Sequence, residues 1–257
     1  MRGYRTFVKK EFMENMRTHK LFIMIVVFFI FGIMSPLFAK LTPQLLASLS
    51  EANGMEIPLN LPEPSALDSY TQFFKNIGQM GLILLLLVYS GTLSSEISKG
   101  TLIPVLTRGL SRASVIMAKF TVASFIWTLC YLLSFLVTFG YTITLFPAMD
   151  LHHLALSVLA AWLFGIFLLA LFLLMSCAAR GSYGGLLGTA VVFGILLLGQ
   201  MLPGIQKFNP IVLINDNVSM LKEGYVLSDM ISAIIVTGIC IVIFMFSAIT
   251  IFKRKHL

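Results

Sequence analysis

The sequence predicts an all-α integral membrane protein with six transmembrane helices, and three observations carry that prediction. Of 257 residues, 58% are hydrophobic and only 11% are charged, against roughly 25% charged in a soluble domain. So little charge cannot solvate a surface, so most of this surface faces lipid. Uncharged apolar runs approach the roughly 20 residues needed to cross the hydrocarbon core again and again. The cations are sorted: alternate connections hold fourteen of the eighteen Lys and Arg.

The chain reads as one transmembrane domain over residues 1–257. Residues 2–20 are basic, with Tyr4, Val8, Phe12 and Met16 recurring every fourth position opposite Lys10, Glu14 and Arg17. That periodicity favours an amphipathic helix lying along the membrane surface, its cations near anionic headgroups, over a solvated tail. The first span is expected at 21–39. A signal peptide is the rival reading, but its apolar region is typically shorter, about 7–15 residues, and its charged leader is shorter than this one.

Residues 40–75 form a polar connection with prolines at 43, 58, 62 and 64. Within it 44–52 can make a short surface helix, and the proline-rich run after it is expected to be extended. Further spans are expected at 76–94, 115–146, 154–176, 184–202 and 230–252, the third long enough to tilt or project. Asp150 can cap the fourth span. The connection 203–229 mixes apolar triplets with Asn, Asp and Pro, too broken to cross twice, and reads as a re-entrant or surface-lying external segment before the last span.

Orientation follows from the cations. The amino-terminal segment, the 95–119 loop, a short turn at 177–183 and the carboxy-terminal tail carry fourteen Lys and Arg, whereas the opposite face carries four with eight of the eleven acids. The basic side stays in the cytoplasm, so both termini are expected inside. The +7 net charge reflects this bias, and no nucleic-acid partner is expected.

Several chemistries lose their footing here. No ionisable residue lies near the midpoint of an expected span, which argues against proton- or sodium-coupled transport by this chain alone and against an intramembrane protease. Cys130, Cys177 and Cys240 are too scattered for a disulfide framework or zinc site. His152 and His153 lack a third ligand partner, so no metal site is expected. No Gly-Lys-Ser/Thr triplet exists for a phosphate-binding loop; Lys99-Gly100-Thr101 has the residues in the wrong order. No catalytic site and no bound cofactor are expected. A pump would draw its energy from another subunit.

The one sizeable polar connection on the basic side, residues 94–120, holds the best candidate site. Glu96 faces the negative end of the second span's helix dipole, so a cation should offset it, and Lys99, Arg108 and Arg112 are close in sequence. Thr101 can cap a short helix that tolerates Pro104 in its first turn. Leu102, Val105, Leu106 and Leu110 would line one face, Gly109 would interrupt it, and Ser111 would cap the third span. Such a helix offers an apolar face to a partner's groove; a solvated basic loop fits the same residues equally well.

The run Glu-x-x-Lys-Gly-Thr-Leu at 96–102, followed by Arg108, Ser111-Arg112 and Lys119-Phe120, resembles the first cytoplasmic loop of type-2 ABC exporter permeases. One departure is Gly109, where relatives often carry proline. The resemblance implies an interfacial elbow helix over 4–19, a cytoplasmic coupling helix with Glu96, Gly100, Thr101, Arg108 and Arg112, and the family's re-entrant segment over 203–228. It implies two copies of a separate ABC ATPase subunit that hold the ATP and magnesium, a second permease copy or a similar permease, and export across a bacterial plasma membrane. An uncharged interior favours an amphipathic substrate such as an antimicrobial peptide or drug, with an ion also among those the family handles. The spacing Gly184-x-x-x-Gly188 permits close helix approach at a permease seam. The alternative class is a non-transporting polytopic sensor or anchor, which could use the same docking loop.

Overall fold

The computed structural model describes residues 2–52, 63–107, 109–147, 151–179, 181, 183–202, 204 and 206–255. Among them no strand occurs. Eleven α-helices run in order: α1 (Arg2–Arg17), α2 (Lys20–Ala52), α3 (Ala66–Asn76), α4 (Leu82–Tyr89), α5 (Ser94–Ser98), α6 (Ile103–Thr107), α7 (Arg112–Leu145), α8 (Leu154–Ala178), α9 (Gly184–Gly199), α10 (Val212–Asn215) and α11 (Leu227–Arg254). Five stretches are long and apolar enough to cross a membrane: Lys20–Leu45, Ala66–Ile97, Arg112–Leu145, Leu154–Ala178 and Leu227–Arg254. The fifth expected span, at 184–202, is the short helix α9. Its 16 residues cover about 24 Å, less than the roughly 30 Å hydrocarbon core.

Helix α8 is central, with 72% of its most apolar window buried inside the chain. It packs on α7, α9 and α11. The seam with α7 is aromatic: the Trp127 indole donates to the Trp162 carbonyl (3.0 Å) and Tyr131 to the Val158 carbonyl (2.8 Å).

Two expected boundaries were misplaced. Helix α2 does not stop at residue 39; it continues through Pro36 and Pro43 and absorbs the expected surface helix at 44–52. Pro36 has no N–H, so the Gly32 carbonyl loses its intrahelical donor. The Thr138 hydroxyl of α7 takes that carbonyl at 3.1 Å. Gly32 makes the approach possible, because a Cβ there would lie 2.8 Å from the Ser134 carbonyl. A Thr138→Val variant keeps the shape but orphans the Gly32 carbonyl; it should lower stability in detergent by about 1 kcal/mol, read by thermal unfolding.

The second span likewise starts ten residues earlier than expected. Ser65 and Asp68 form a capping box, with the Ser65 N–H donating to Asp68 Oδ2 at 2.9 Å. Asp68, Gln72, Lys75 and Asn76 made 66–76 look like loop, yet Ala66, Ser69, Tyr70, Phe73 and Phe74 form one buried face. Asn76 donates to Ser35 Oγ of α2 (3.0 Å), and Ser69 and Thr142 share a buried hydroxyl bond (2.7 Å). A π-helical turn, Ile77–Gly81, joins α3 to α4.

Helix α7 begins as expected: Ser111 caps it, accepting from the Ser114 N–H. The cap of α8 differs. Asp150 lies outside the described residues, as does most of the proline-rich run at 58–64, and the N-cap is His153 in the left-handed region, φ 50°. The Gly184 and Gly188 stripe faces α8, where added Cβ atoms would press on Ala179 and Met175. These glycines pack the chain against itself.

Residues 206–226 form short turns, Gln206–Phe208, α10 and Ser219–Leu221, laid against α8 and α11. Ile211, Leu213 and Met220 are buried. Asn209 donates to the Leu196 carbonyl (2.6 Å), and Ser157 of α8 donates to the Asn217 carbonyl (3.0 Å). Burial and the Asp216 carboxylate push the Tyr225 phenol well above its ordinary pKa.

Helix α1 packs on α2 and α7, and its Phe7 joins a core cluster with Cys177 of α8 and Phe252 of α11. The expected Tyr4–Val8–Phe12–Met16 stripe is not its most buried face, although Tyr4, Val8 and Phe12 pack half-buried against the core. Phe7, Glu11 and Asn15 are the buried positions, while Met16 is exposed.

Candidate functional site

Three acids fall on the basic side of the chain, Glu11, Glu14 and Glu96, and the fold gathers all three. Their carboxylate oxygens lie within 4.8 Å of one another. Two lysines sit among them. Lys119 of α7 reaches Glu11 Oε2 and Glu96 Oε2, each at 2.9 Å. Lys10 reaches Glu14 at 2.6 Å, Glu11 at 3.0 Å and Glu96 at 3.9 Å. Lys20 donates to Thr92 Oγ1 beside them at 3.0 Å. The carboxylates could in principle ligate a cation, but the ammonium groups already occupy that role.

Burial sets the character of this cluster. The side chains of Lys119 and Glu11 are 4% and 3% exposed, so each would be a costly isolated charge without the other. Burial works against the Lys10 ammonium, yet Glu14 and Glu11 hold its pKa above the ordinary lysine value. Burial likewise opposes the Glu14 charge, and Lys10 holds that carboxyl below the ordinary range. The cluster ties α1, α5 and α7 into one unit.

The offset for Glu96 therefore differs from the expected one. Lys99, Arg108 and Arg112 were the cations expected nearby, but Lys119 and Lys10 reach it, because folding brings α7 and α1 against α5. Arg112 serves elsewhere: its Nη1 donates to the carbonyls of Phe252 (3.1 Å), Lys253 (2.9 Å) and Lys255 (2.7 Å) at the end of α11. A cation there complements the helix dipole. Lys255 in turn donates to the Cys177 and Ala179 carbonyls at 2.9 and 2.7 Å. An Arg112→Ala variant should fray this end, seen as faster amide exchange over residues 249–255 with little change in α8.

Between Glu96 and Arg112 the backbone turns twice through positive φ, at Gly100 (66°) and Gly109 (87°). A side chain at either would be strained. Thr101 does not cap α6; its hydroxyl donates back to the Glu96 carbonyl at 3.3 Å. The apolar face expected to be free is largely turned inward. Leu102 is 2% exposed and packs with Phe7, Leu93 and Val115, and Leu106 and Leu110 lean on the same group. What faces outward on α6 is Ile103, Pro104 and Thr107. Arg108 and the Val105 side chain lie outside the described residues.

A second feature lies along the bundle. An 810 Å³ groove runs between α3–α4 and α9, with Phe74, Leu82, Leu86, Leu168 and Phe193 in its wall. Its polar lining includes Thr71, Lys75, Gln79 and Asn215. Thr71 and Lys75 belong to α3 and Asn215 to α10, elements remote from the charge cluster.

A family model described as ABC-2 family transporter protein matches residues 5–257. The chain belongs to the ABC-2 transporter family. No curated protein matches it.

Membership over nearly the whole chain makes this a type-2 ABC transporter permease and, with its apolar helices, a multi-pass membrane protein. Permeases of this family associate with an ABC ATPase subunit and pair with one another. For Glu96 of the ABC-2 permease, sequence reasoning named cations other than the ones that reach it. Lys119 entered the sequence reading only through the family resemblance, and Glu11, inside the amphipathic amino-terminal segment, was given no role. A signal was available: a lysine four residues inside an apolar run needs a carboxylate, and only three acids exist on its side.

Proposed function

We propose that this ABC-2 permease is the membrane subunit of an ATP-driven exporter, coupled to its ATPase through α6. The observation that carries the reading is the attachment of α6. It hangs between two glycine turns from a buried ion cluster that binds the interfacial helix, the end of the second span and the start of the third. A push on the outward side of α6, at Ile103, Pro104 and Thr107, therefore reaches three elements at once through Glu96, Lys119 and Glu11. Gly100, Thr101 and Leu102 shape the turn that transmits it, and Leu106 seats the helix. Val105, Arg108 and Arg112 complete the coupling region by resemblance, Arg112 through the end of α11.

In this reading residues 1–257 form one permease domain of six spans, with α9 and the turns after it completing the fifth crossing. Helix α1 is the elbow helix, and 203–226 is the external re-entrant segment. Both termini are cytoplasmic in a bacterial plasma membrane. Two ATPase copies bind ATP and magnesium, and this chain binds none. A second copy or a similar permease faces the 810 Å³ groove, whose apolar wall suits an amphipathic substrate, a peptide or a drug, more than a bare ion.

The test is co-purification. The gently solubilised chain should bring down an ATPase, and Ile103→Asp with Thr107→Asp should release it while the permease stays folded. Glu96→Arg should cut efflux with the complex intact. Assembly without any ATPase, or full efflux by Glu96→Arg, sinks the coupling reading.

A further inference from the structure

We propose that the groove between α1 and α7 binds the headgroup of an anionic phospholipid, with Arg5 and Lys9 as its cations. The acyl chain would lie along the outer face of α7. The groove measures 430 Å³ and is lined by Arg5, Val8, Lys9, Phe12, Thr121 and Phe125 among others. A bond between Tyr4 OH and Thr121 Oγ1 (2.9 Å) crosses beside it.

The cations of α1 have divided labour. Lys10 is committed to the three carboxylates, as is Lys119 from α7. Arg5 and Lys9, one turn apart and both exposed, have no acidic partner among the described residues. They flank a floor that is apolar rather than acidic. Two unpaired cations over an aromatic floor match an amphipathic anion better than a soluble one.

The apolar bed lies where such a ligand needs it. From Phe125 the exposed residues Leu129, Leu132 and Leu136 follow at intervals of four, three and four along one face of α7. That stripe is about 16 Å long, about half of the roughly 30 Å hydrocarbon core, the depth one leaflet supplies. Among the described residues Phe125, which Phe12 meets edge-on at 6.2 Å, is still 56% exposed, and Leu136 is 62% exposed. Headgroup cations at one end and a one-leaflet apolar stripe beyond them are in the order a phospholipid presents. The site would anchor α1 to the leaflet that carries anionic lipid.

The experiment uses the full chain with its partners in detergent and native mass spectrometry. Phosphatidylglycerol and phosphatidylcholine with identical acyl chains are the probes. Two interfacial cations predict roughly a 30-fold preference for phosphatidylglycerol. Arg5→Gln with Lys9→Gln should abolish it, whereas Lys253→Gln with Arg254→Gln, the same charge change elsewhere at that end, should leave it. Absence of preference in the unmodified chain overturns the proposal, including the case in which a second permease covers this face of α7. Equal loss in both double variants means a diffuse basic field and also overturns it. Displacement of the lipid by excess inorganic phosphate would mean a phosphate site in place of a lipid site.

Discussion

Lys119→Met is expected to destabilise the permease by about 3 kcal/mol, the lower end of the cost of breaking a buried ion pair. Methionine matches the length of the lysine stem but leaves Glu11 and Glu96 without the ammonium 2.9 Å from each. Lys10 still reaches Glu11 at 3.0 Å, which keeps the loss from the upper end of the range. The structural consequence is specific. The short ionic contact between α1 and the end of the second span runs through this ammonium, since Lys10 reaches Glu96 only at 3.9 Å, so α1 amides should exchange faster while those of α8 stay protected. Adding Glu11→Leu to Lys119→Met should recover part of the loss, because it removes one orphaned carboxylate. Thermal unfolding in detergent and amide exchange read both effects. A Lys119→Met protein that melts with the parent and keeps α1 protected would mean that the cluster holds nothing together.

The second large effect is expected from Gly165→Val. A Cβ at Gly165 would collide with the Trp127 indole. That ring cannot retreat: it is fully buried, meets Phe28 edge-on at 5.7 Å and Tyr131 at 5.3 Å, and donates to the Trp162 carbonyl. Overpacking of this kind costs typically 1–3 kcal/mol, and displacing the indole also loses about 1 kcal/mol of hydrogen bond. We expect a total near 3 kcal/mol, seen as a lowered detergent melting temperature. A smaller ring should relieve the collision, so Gly165→Ala with Trp127→Phe should melt above Gly165→Ala alone. Should the double variant be worse than that single one, the interlock of α7 and α8 is not the source of the effect.

How much of this was legible varies by element. The membrane class was legible because low charge and long apolar runs leave no other way to solvate the surface. Ser111 as a helix cap was legible because capping is local. The start of α3 was not, since Asp68, Gln72, Lys75 and Asn76 read as loop until their partners on α2 and the buried face of Phe73 and Phe74 are known. The path of α2 through Pro36 was not legible either: the hydroxyl that takes the freed Gly32 carbonyl is Thr138, far away in sequence.

The candidate site divides in the same way. The loop 94–120 stands out in sequence by its charges, glycines and proline, and its resemblance to ABC-2 permeases follows from residues 96–120. Its geometry does not. Arg112 looks like a partner for Glu96 because it is sixteen residues away, yet it caps α11, and Leu102 looks like docking surface yet lies in the core.

By itself the sequence determined the membrane class, the basic end and the family, because hydropathy, charge sorting and short motifs act locally. Only the tertiary structure decided which charges meet. Ion pairs form between elements that packing brings together, and in a low-dielectric interior each acid takes the nearest cation in space. Three scattered glutamates and two lysines thus became one cluster.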